Sequence, residues 1–397
     1  MTYLWLSVAF MAVVVAITGT VLLRAPDRLR LVKRWWGPVL VSIVVLVALT
    51  ALFDNIMIHA GLITYHQEKI SGVRIGEIPV EDFFYPLAGA IALPALWLLT
   101  RGREGRNEEG KLRQLLVSSR PLSWINTAFP FAAAYFMTVR SVDATLIVGT
   151  LFFLIPYNVA MYGINDVFDY ESDLRNPRKG GAEGALLDRS AHRRTLIVAG
   201  VVPIPFVVYL VINGSVLSWC VLAASLFFVV AYSVAGLRFK EIPFLDSVTS
   251  SIHFVSPAVY GLVLAGAHLT PGLWLVVLAF FLWGIGSHAF GAVQDVVPDR
   301  EAHISSIATV LGASRTVRFA IMAWACAGLV MLATPWPGPL AALLALPYIL
   351  AVWQFRSVSD AESARANRGW KRFLWINYAC GFLVTMVLIW SALITSR

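Results

Sequence analysis

The chain has 397 residues, of which 58% are hydrophobic and only 14% are charged, and its formal net charge is +8 at pH 7. A mean hydropathy of +0.74 excludes an ordinary soluble domain and indicates an all-α integral membrane protein. Membrane orientation and anionic headgroups account for the positive charge, so no nucleic-acid partner is required.

Twelve apolar runs are long enough, at about 17 to 25 residues each, to cross a bilayer as helices. They lie near 3–23, 38–53, 83–100, 122–139, 143–162, 195–213, 216–236, 247–267, 272–292, 319–335, 338–355 and 373–392. A charged stretch that contains glycine, 101–120, separates the third run from the fourth. The sequence therefore predicts a three-helix domain over 1–100, a linker over 101–120 and a nine-helix domain over 121–397.

Basic residues are distributed unequally between the two sides of this arrangement. With the N-terminus outside, alternate loops hold 27 of the 31 Lys and Arg residues. These loops are 24–36, 101–120, 163–194, 237–246, 293–318 and 356–372. Because cytoplasmic loops carry the excess of Lys and Arg, the pattern predicts a multi-pass plasma-membrane protein with these loops in the cytosol.

The first of two acidic segments, NDVFDYESD at 165–173, follows the fifth apolar run. Its Asn165, Asp169 and Asp173 are spaced i, i+4 and i+8, so on a continuous helix the three side chains would share one face. Carboxylates are costly at a membrane boundary unless something neutralises them. The spacing therefore predicts a cation-binding face.

The second acidic segment, QDVVPDREAH at 294–303, follows the ninth run and repeats the spacing with Asp295 and Asp299. Oxygen ligands without Cys or His suit a hard cation such as Mg²⁺. Both segments fall on the same predicted side, together with polar and basic residues that could hold phosphate oxygens. These are Arg178, Lys179, Tyr232, Arg238 and Lys240.

A diphosphate whose other end is at home in a membrane is an isoprenoid diphosphate. Its characteristic reaction is loss of diphosphate to give an allylic cation, which forms a new carbon–carbon bond. Magnesium and basic residues would stabilise the leaving group, and an apolar bundle would keep water away from the cation.

These segments resemble the intramembrane prenyltransferases of the UbiA family. NDVFDYESD matches the NxxxDxxxD motif of that family, QDVVPDRE matches its later DxxxD motif, and YSVAGLRFKEIPFLD matches the loop between them, over a resemblance that covers about 121–397. It implies that Mg²⁺ is bound by Asn165, Asp169, Asp173, Asp295 and Asp299. It further implies diphosphate contacts from Arg178, Lys179, Arg238 and Lys240, with Arg300 as a weaker candidate.

The first block also carries acidic residues, in Phe53-Asp54-Asn55 and Pro79-Val80-Glu81-Asp82. Residues 1–100 resemble the small three-helix subunits of heterodimeric lycopene cyclases, in which FDN and P-x-E-[ED] recur. Cyclising a polyene end requires a proton, and desolvation keeps a carboxylic acid protonated. The candidate donors are Asp54, Glu81 and Asp82, and the alternative is an exposed acidic outer loop.

The two resemblances together imply a lycopene elongase joined to half of a cyclase. It would add dimethylallyl groups from dimethylallyl diphosphate to the ends of lycopene, giving fifty-carbon carotenoids whose ends are then cyclised. A second cyclase subunit or self-association is implied because only one half is present. The predicted topology places the two sites on opposite faces of the membrane.

Two alternatives remain open. The nearest is a prenyltransferase with a quinone or aromatic acceptor, and a remote one is a membrane transporter, in which midplane charges and inverted repeats are expected. His288, before the second acidic segment, is predicted to be a satisfied polar group, with a lining position in the acceptor pocket as the alternative.

Overall fold

The computed structural model describes residues 2–24, 28–59, 61, 63–101, 114–174 and 189–395. Its contacts divide the chain into two compact units, Met1–Arg113 and Gln114–Arg397. In the described residues ten helices are long and apolar enough to cross a membrane. The described residues also contain the apolar helix Phe84–Arg101 and the shorter apolar helix Ile125–Val139. The predicted all-α membrane fold is confirmed.

The first unit contains three long helices, Thr2–Arg24, Arg28–His59 and Phe84–Arg101. Between the second and third helices, strands Arg74–Ile75 and Ile78–Pro79 form a short antiparallel hairpin. A 3₁₀ turn, Val80–Phe83, then leads into the third helix. The acidic residues of the first block therefore lie on an ordered, partly buried hairpin and turn.

The second helix begins earlier than the apolar pattern predicts. Segment 24–36 was expected to be a loop, but the helix starts at Arg28 and includes Arg30, Lys33 and Arg34. Leucine, arginine and lysine are good helix formers, and long basic side chains can extend from a helix end toward the headgroups. The basic residues therefore occupy the first turns of the helix rather than a loop.

Asn55 fixes the hairpin to the second helix. Its Oδ1 accepts a hydrogen bond from the Glu77 backbone N–H at 2.7 Å, and its Nδ2 donates to the Ala51 carbonyl at 2.7 Å. The intervening Gly76 has φ +70°, and an added Cβ would lie 2.4 Å from Asn55 Oδ1. A side chain at position 76 would therefore collide with this clamp and strain the turn.

In the residues that the structure describes, the second unit is a bundle of nine apolar helical segments. In chain order they are Ile125–Val139, Ala144–Phe168, Arg189–Ile212, Val216–Ser233, Leu245–Leu264, Pro271–Val293, Ala313–Leu332, Gly338–Phe355 and Asp360–Ile394. Two are interrupted next to prolines, after Leu154 and after Val201, because proline removes a backbone donor.

Two aromatic cores hold this bundle together. One surrounds Phe131, Phe153 and Tyr260, with helices from the first half of the unit. The other surrounds Trp324 and Phe373, whose rings stack at 6.0 Å, with helices from the second half. The first acidic segment belongs to the first half and the second to the second half.

Candidate active site

The first acidic segment lies where an apolar helix ends. Helix Pro156–Phe168 stops before Asp169, and a separate helix covers Tyr170–Asp173. The predicted continuous helix over 165–173 is therefore wrong. Asp169 still donates its backbone N–H to the Asn165 carbonyl at 2.9 Å, but aspartate is a weak helix former and its carboxylate is bound by cations from another loop.

That loop follows helix Val216–Ser233 and contains Arg238 and Lys240. The Lys240 ammonium forms an ion pair with Asp169 Oδ1, and Arg238 Nη2 lies 3.7 Å from the same oxygen. Arg238 also pairs with Glu241 at 2.6 Å. Its backbone is left-handed, with φ +41°, which is strained for a residue other than glycine. Two predicted diphosphate ligands thus converge on one predicted metal ligand.

Lys240 also connects the two acidic segments electrostatically. Burial lowers the pKa of Lys240 to about 8, although Glu241, Asp166 and Asp299 counteract the decrease. Asp299 therefore lies within electrostatic range of the lysine that holds Asp169. The structure brings side chains from both acidic segments to the same end of the bundle.

The second acidic segment continues from helix Pro271–Val293. Asp295 precedes the short helix Val296–Glu301, in which Asp299 donates its backbone N–H to the Asp295 carbonyl at 2.9 Å. The Asp299 carbonyl in turn accepts from Ile304 at 2.8 Å. These backbone bonds hold the two carboxylates one helical turn apart, as their spacing predicts.

Arg300, the weaker candidate for diphosphate contact, binds neighbouring segments of the bundle. Its guanidinium pairs with Asp360 at 2.6 Å and donates to the Thr309 carbonyl at 2.8 Å. Asp360 also accepts the Ala313 backbone N–H at 2.7 Å. These bonds connect segments of the second half of the bundle, and the diphosphate contact of Arg300 stays a prediction.

Asp166, which the sequence reasoning missed, anchors the first acidic segment from within. Its side chain is fully buried, accepts from Ser118 Oγ at 2.8 Å and pairs with Arg120 at 3.3 Å. Arg120 also lies over the Tyr162 ring, 4.3 Å from its centroid. Asp166 belongs to the acidic segment but does not share the i, i+4 spacing of Asn165, Asp169 and Asp173. Only the fold shows that its side chain is buried, so the sequence alone did not single it out.

Tyr232 leads from this end of the bundle into its interior. Its hydroxyl was predicted to bind substrate, and in the structure it lies 3.2 Å from His288 Nε2. His288 Nδ1 is 3.0 Å from Ser247 Oγ. His288 is therefore a hydrogen-bonded polar group, as its isolation in an apolar run indicated.

The structure describes less of the remaining predicted metal and diphosphate ligands. Arg178 and Lys179 lie outside the described residues. Asp173 ends its short helix, and its backbone alone is described. Asn165 Nδ2 donates to Ser233 Oγ at 3.1 Å, which connects the first acidic segment to the end of helix Val216–Ser233.

The predicted carboxylate and amide ligands are of the type that binds Mg²⁺, but the side chains that the structure describes do not form a complete metal centre. No group of three or more Asp, Glu, His or Cys residues that could hold a metal occurs in the part of the chain that the structure describes. Lys240 instead supplies the cation beside Asp169. Because carboxylate and amide oxygens are the ligands that Mg²⁺ prefers, the residue types fit the ion.

The first unit has its own acidic site. Glu81 is 2% exposed, its Oε1 accepts the Ser71 backbone N–H at 2.5 Å, and its Oε2 has no hydrogen-bond partner among the described residues. Tyr65 donates to Asp82 at 2.5 Å. Asp54 lies within electrostatic range of Asp82. The three predicted proton donors are therefore close together, and Tyr65 is an addition that sequence did not indicate.

A cavity of about 210 Å³ adjoins these acids. Its lining includes Tyr65, Glu81, Asp82 and Tyr85. Burial raises the pKa of Asp82, the hydrogen bond from Tyr65 lowers it, and nearby Glu81 raises it further. The predicted alternative, a fully exposed acidic loop, does not describe Glu81.

Two family models match this chain, one in each of its two units. The model of the UbiA prenyltransferase family matches residues 127–378. The chain belongs to the UbiA prenyltransferase family. The lycopene cyclase family model matches residues 2–98. The prediction of an enzyme that transfers prenyl groups is confirmed, and the transporter alternative has no support.

Two curated relatives are similar over most of their own length. The "C(50) beta-cyclic carotenoids biosynthesis protein LbtBC" of Dietzia sp. (strain CQ4) is 49% identical, over 100% of this chain and 99% of the relative. A "Lycopene elongase/hydratase" of Corynebacterium glutamicum is 48% identical, over 70% of this chain and 97% of the relative. A solved UbiA homolog from Archaeoglobus fulgidus, bound to DMAPP and Mg²⁺, is 17% identical with a TM-score of 0.48, over 67% of this chain and 98% of that one.

Proposed function

We propose that this UbiA prenyltransferase is a Mg²⁺-dependent lycopene elongase, which transfers dimethylallyl groups from dimethylallyl diphosphate to the ends of lycopene. The observation that carries the proposal is the convergence of Asp169, Lys240, Arg238 and Asp299 at one end of an apolar bundle. Relatives at 48% and 49% identity bear the names of lycopene elongase and of fifty-carbon carotenoid biosynthesis, which supports a polyene acceptor.

Donor binding uses charge complementarity. Lys240 and Arg238 would bind diphosphate oxygens that do not face metal, with Arg178 and Lys179 as further proposed contacts. Magnesium, when bound, would neutralise the diphosphate and stabilise the charge that develops on it. Its proposed ligands are Asn165, Asp169, Asp173, Asp295 and Asp299.

The reaction begins when the carbon–oxygen bond of the donor breaks and its electron pair leaves with the diphosphate. The allylic cation is attacked by the terminal double bond of the polyene, which forms a carbon–carbon bond and leaves a tertiary cation. Loss of a proton then gives a new double bond. The buried aromatic side chains of Phe131, Phe152 and Phe153 would keep bulk water from the cation.

For the first unit we propose a contribution to cyclisation of the polyene ends. A proton would be added to a carbon–carbon double bond by one of Glu81, Asp82 and Asp54, of which Glu81 and Asp82 line the cavity and Asp54 lies within electrostatic range of Asp82. A ring then forms, and loss of a proton from carbon restores neutrality. The match to a lycopene cyclase model supports this role. We propose a second cyclase subunit or another copy of the chain as partner.

We further propose the topology predicted from the basic residues. The protein would lie in the plasma membrane with its N-terminus outside and the transferase site at the cytosolic face. The proposed domains are 1–100 and 121–397, joined by 101–120. A carotenoid is long enough to span the bilayer, so opposite ends of one polyene could reach the two sites.

Pigment analysis of a bacterial host that accumulates lycopene tests the proposal. The parent chain should add one or two five-carbon units to lycopene. Asp169→Asn should strongly reduce the addition, whereas Glu81→Gln should keep the addition and, in cells that also contain the proposed cyclase partner, lose ring formation. Chromatography with mass detection measures both. Unchanged lycopene, with the folded protein present in the membrane, would exclude this acceptor and favour a quinone or aromatic acceptor.

A further inference from the structure

A chain of hydrogen bonds connects Tyr232 to a buried carboxylate in the bundle interior. The Tyr232 hydroxyl is 3.2 Å from His288 Nε2, and His288 Nδ1 is 3.0 Å from Ser247 Oγ. The Ser247 backbone N–H donates to Asp246 Oδ1 at 2.7 Å, and the Asp246 side chain is 0% exposed. Neither acidic segment contains any of these residues, and the steps above leave them unused.

The geometry allows one imidazole to accept a proton through the phenol. A neutral imidazole has one donor and one acceptor nitrogen. When Tyr232 donates to Nε2, Nδ1 carries the hydrogen and donates to Ser247 Oγ. The phenol oxygen can then take a proton from substrate while its own proton passes to Nε2.

A buried negative charge stabilises the product of that transfer. Asp246 accepts backbone N–H groups from Ser247 and from Ile307, the latter at 2.8 Å, so its charge is fixed in place. It lies within electrostatic range of His288. An imidazolium at His288 would face this carboxylate in a medium of low polarity, where opposite charges attract strongly.

Tyr232 also lies near the charged residues of the proposed diphosphate site. It lies within electrostatic range of Asp299 and of Arg120, at the end of the bundle where Asp169 and Lys240 meet. Its ring packs edge-on against His253, with centroids 5.2 Å apart, which fixes its direction. Unlike the fully buried Tyr157, it keeps a partly accessible surface.

We propose that Tyr232 and His288 form the proton-accepting pair that ends the prenyl transfer. This inference rests on the proposed function, and it assigns the one proton that the transfer releases. The carbon–hydrogen electron pair of the tertiary cation becomes the new double bond, the proton goes to the Tyr232 oxygen, and the Tyr232 proton goes to His288 Nε2. Tyr232 is the catalytic residue, and His288 acts through it.

The same pair determines which product forms. If the proton comes from carbon, the new end is an alkene. If it comes from a water that has added to the cation, the new end is a tertiary alcohol. Substituting Tyr232 or His288 should slow removal of the carbon-bound proton. The tertiary cation would then be exposed to water for longer.

The test measures products from the full chain in membranes, with lycopene and radiolabelled dimethylallyl diphosphate. Elongated alkene, elongated alcohol and free dimethylallyl alcohol are quantified together with the KM for the donor. Tyr232→Phe and His288→Gln should lower the yield of elongated alkene per donor consumed by about 100-fold. The KM for the donor should stay within about twofold, because the diphosphate contacts are elsewhere.

Tyr157→Phe is the matched control, since it removes another hydroxyl of the same bundle, one that accepts from Ser225 at 3.2 Å. Tyr157→Phe should give the same yield of elongated alkene per donor consumed as the parent chain. Glutamine at position 288 can still accept the Tyr232 hydrogen bond but cannot take its proton, so it separates positioning from proton transfer. If Tyr232→Phe does not fold, His288→Gln decides the question.

Three outcomes would overturn the pair. An unchanged product ratio in both variants would mean that another base, such as the departing diphosphate, takes the proton. A parallel fall of all products with a raised donor KM would mean that Tyr232 only binds the donor. If the parent chain itself makes no elongated polyene, the proposed function fails first, and this inference fails with it.

Discussion

Lys240 forms an ion pair with Asp169, a proposed metal ligand that lies in a different helical hairpin of the bundle. The two side chains are only 11% and 12% exposed, so this is a sheltered interaction rather than a surface one. A cation already neutralises the carboxylate that Mg²⁺ is proposed to bind. If Asp169 binds Mg²⁺ as proposed, donor binding would require Lys240 to exchange its contact with Asp169 for one with the diphosphate.

Replacing Lys240 should damage donor use. In Lys240→Met the ammonium is lost while the apolar stem remains, so kcat/KM for the diphosphate donor should fall on the order of 100-fold. Initial rates over a range of donor concentrations measure the effect. Lys371→Met, at an exposed lysine, is the matched control and should behave as the parent. Equal kinetics in both variants would remove Lys240 from the site.

Magnesium dependence should follow the acidic segments. Asp169→Asn and Asp299→Asn each remove one anionic ligand, so the Mg²⁺ concentration for half-maximal rate should rise at least about tenfold. Chelation should abolish the parent activity, and added Mg²⁺ should restore it. Asp143→Asn, at the cap of helix Ala144–Leu154, should keep the parent value. Identical magnesium curves for all variants would argue against these ligands.

Asp166 should matter for stability. Asp166→Ala leaves Arg120 without its buried partner and Ser118 without its acceptor, and removing one member of a buried pair costs about 3 kcal/mol. Thermal unfolding in detergent should show a clearly lowered midpoint. Glu171→Gln breaks an exposed pair with Arg189 and should change the midpoint little. A parent-like midpoint for Asp166→Ala would show that this anchor contributes no stability.

Tyr65 should tune the acidity of Asp82. Its hydrogen bond stabilises the charged carboxylate and so lowers the pKa of Asp82, against burial that raises it. Tyr65→Phe removes the lowering influence, so the pKa should rise. If protonated Asp82 is the donor, cyclisation is lost as pH rises through that pKa, and the half-loss point should move to higher pH. Ring formation measured across pH checks this.

An unshifted profile would point to Glu81 instead. Tyr85→Phe removes another hydroxyl at the lining of the same cavity and serves as the control. It should leave the half-loss point at the parent value.

Helices and the acidic segments could be read from sequence because both depend on local pattern. Apolar runs predict membrane helices, and the spacing of Asp295 and Asp299 indicates side chains one turn apart. The break at Asp169 could not be predicted from the spacing, and neither could the ion pair of Asp169 with Lys240 from a later loop. Local spacing contains no information about such a partner.

Long-range pairs account for the other differences. Arg300 belongs to the second acidic segment, yet its partner Asp360 lies about 60 residues later, at the start of the last helical segment. Asp246 was the last residue of the quoted loop motif, and its role appears only when Ser247 and Ile307 are seen to donate to it. The sequence identified the acidic and basic segments, whereas the fold showed which of their charged side chains are already paired with one another.

The Arg300–Asp360 pair has a practical consequence for chimaeric enzymes. Because Asp360 also accepts the Ala313 backbone N–H, one carboxylate connects three helical segments in the second half of the bundle. Exchanging C-terminal segments between homologues at a crossover between His303 and Ser359 would separate Arg300 from its native acid. A crossover within Asn367–Thr395 would take Arg300 and Asp360 from the same parent. Their ion pair, which supports the second acidic segment, would then be preserved.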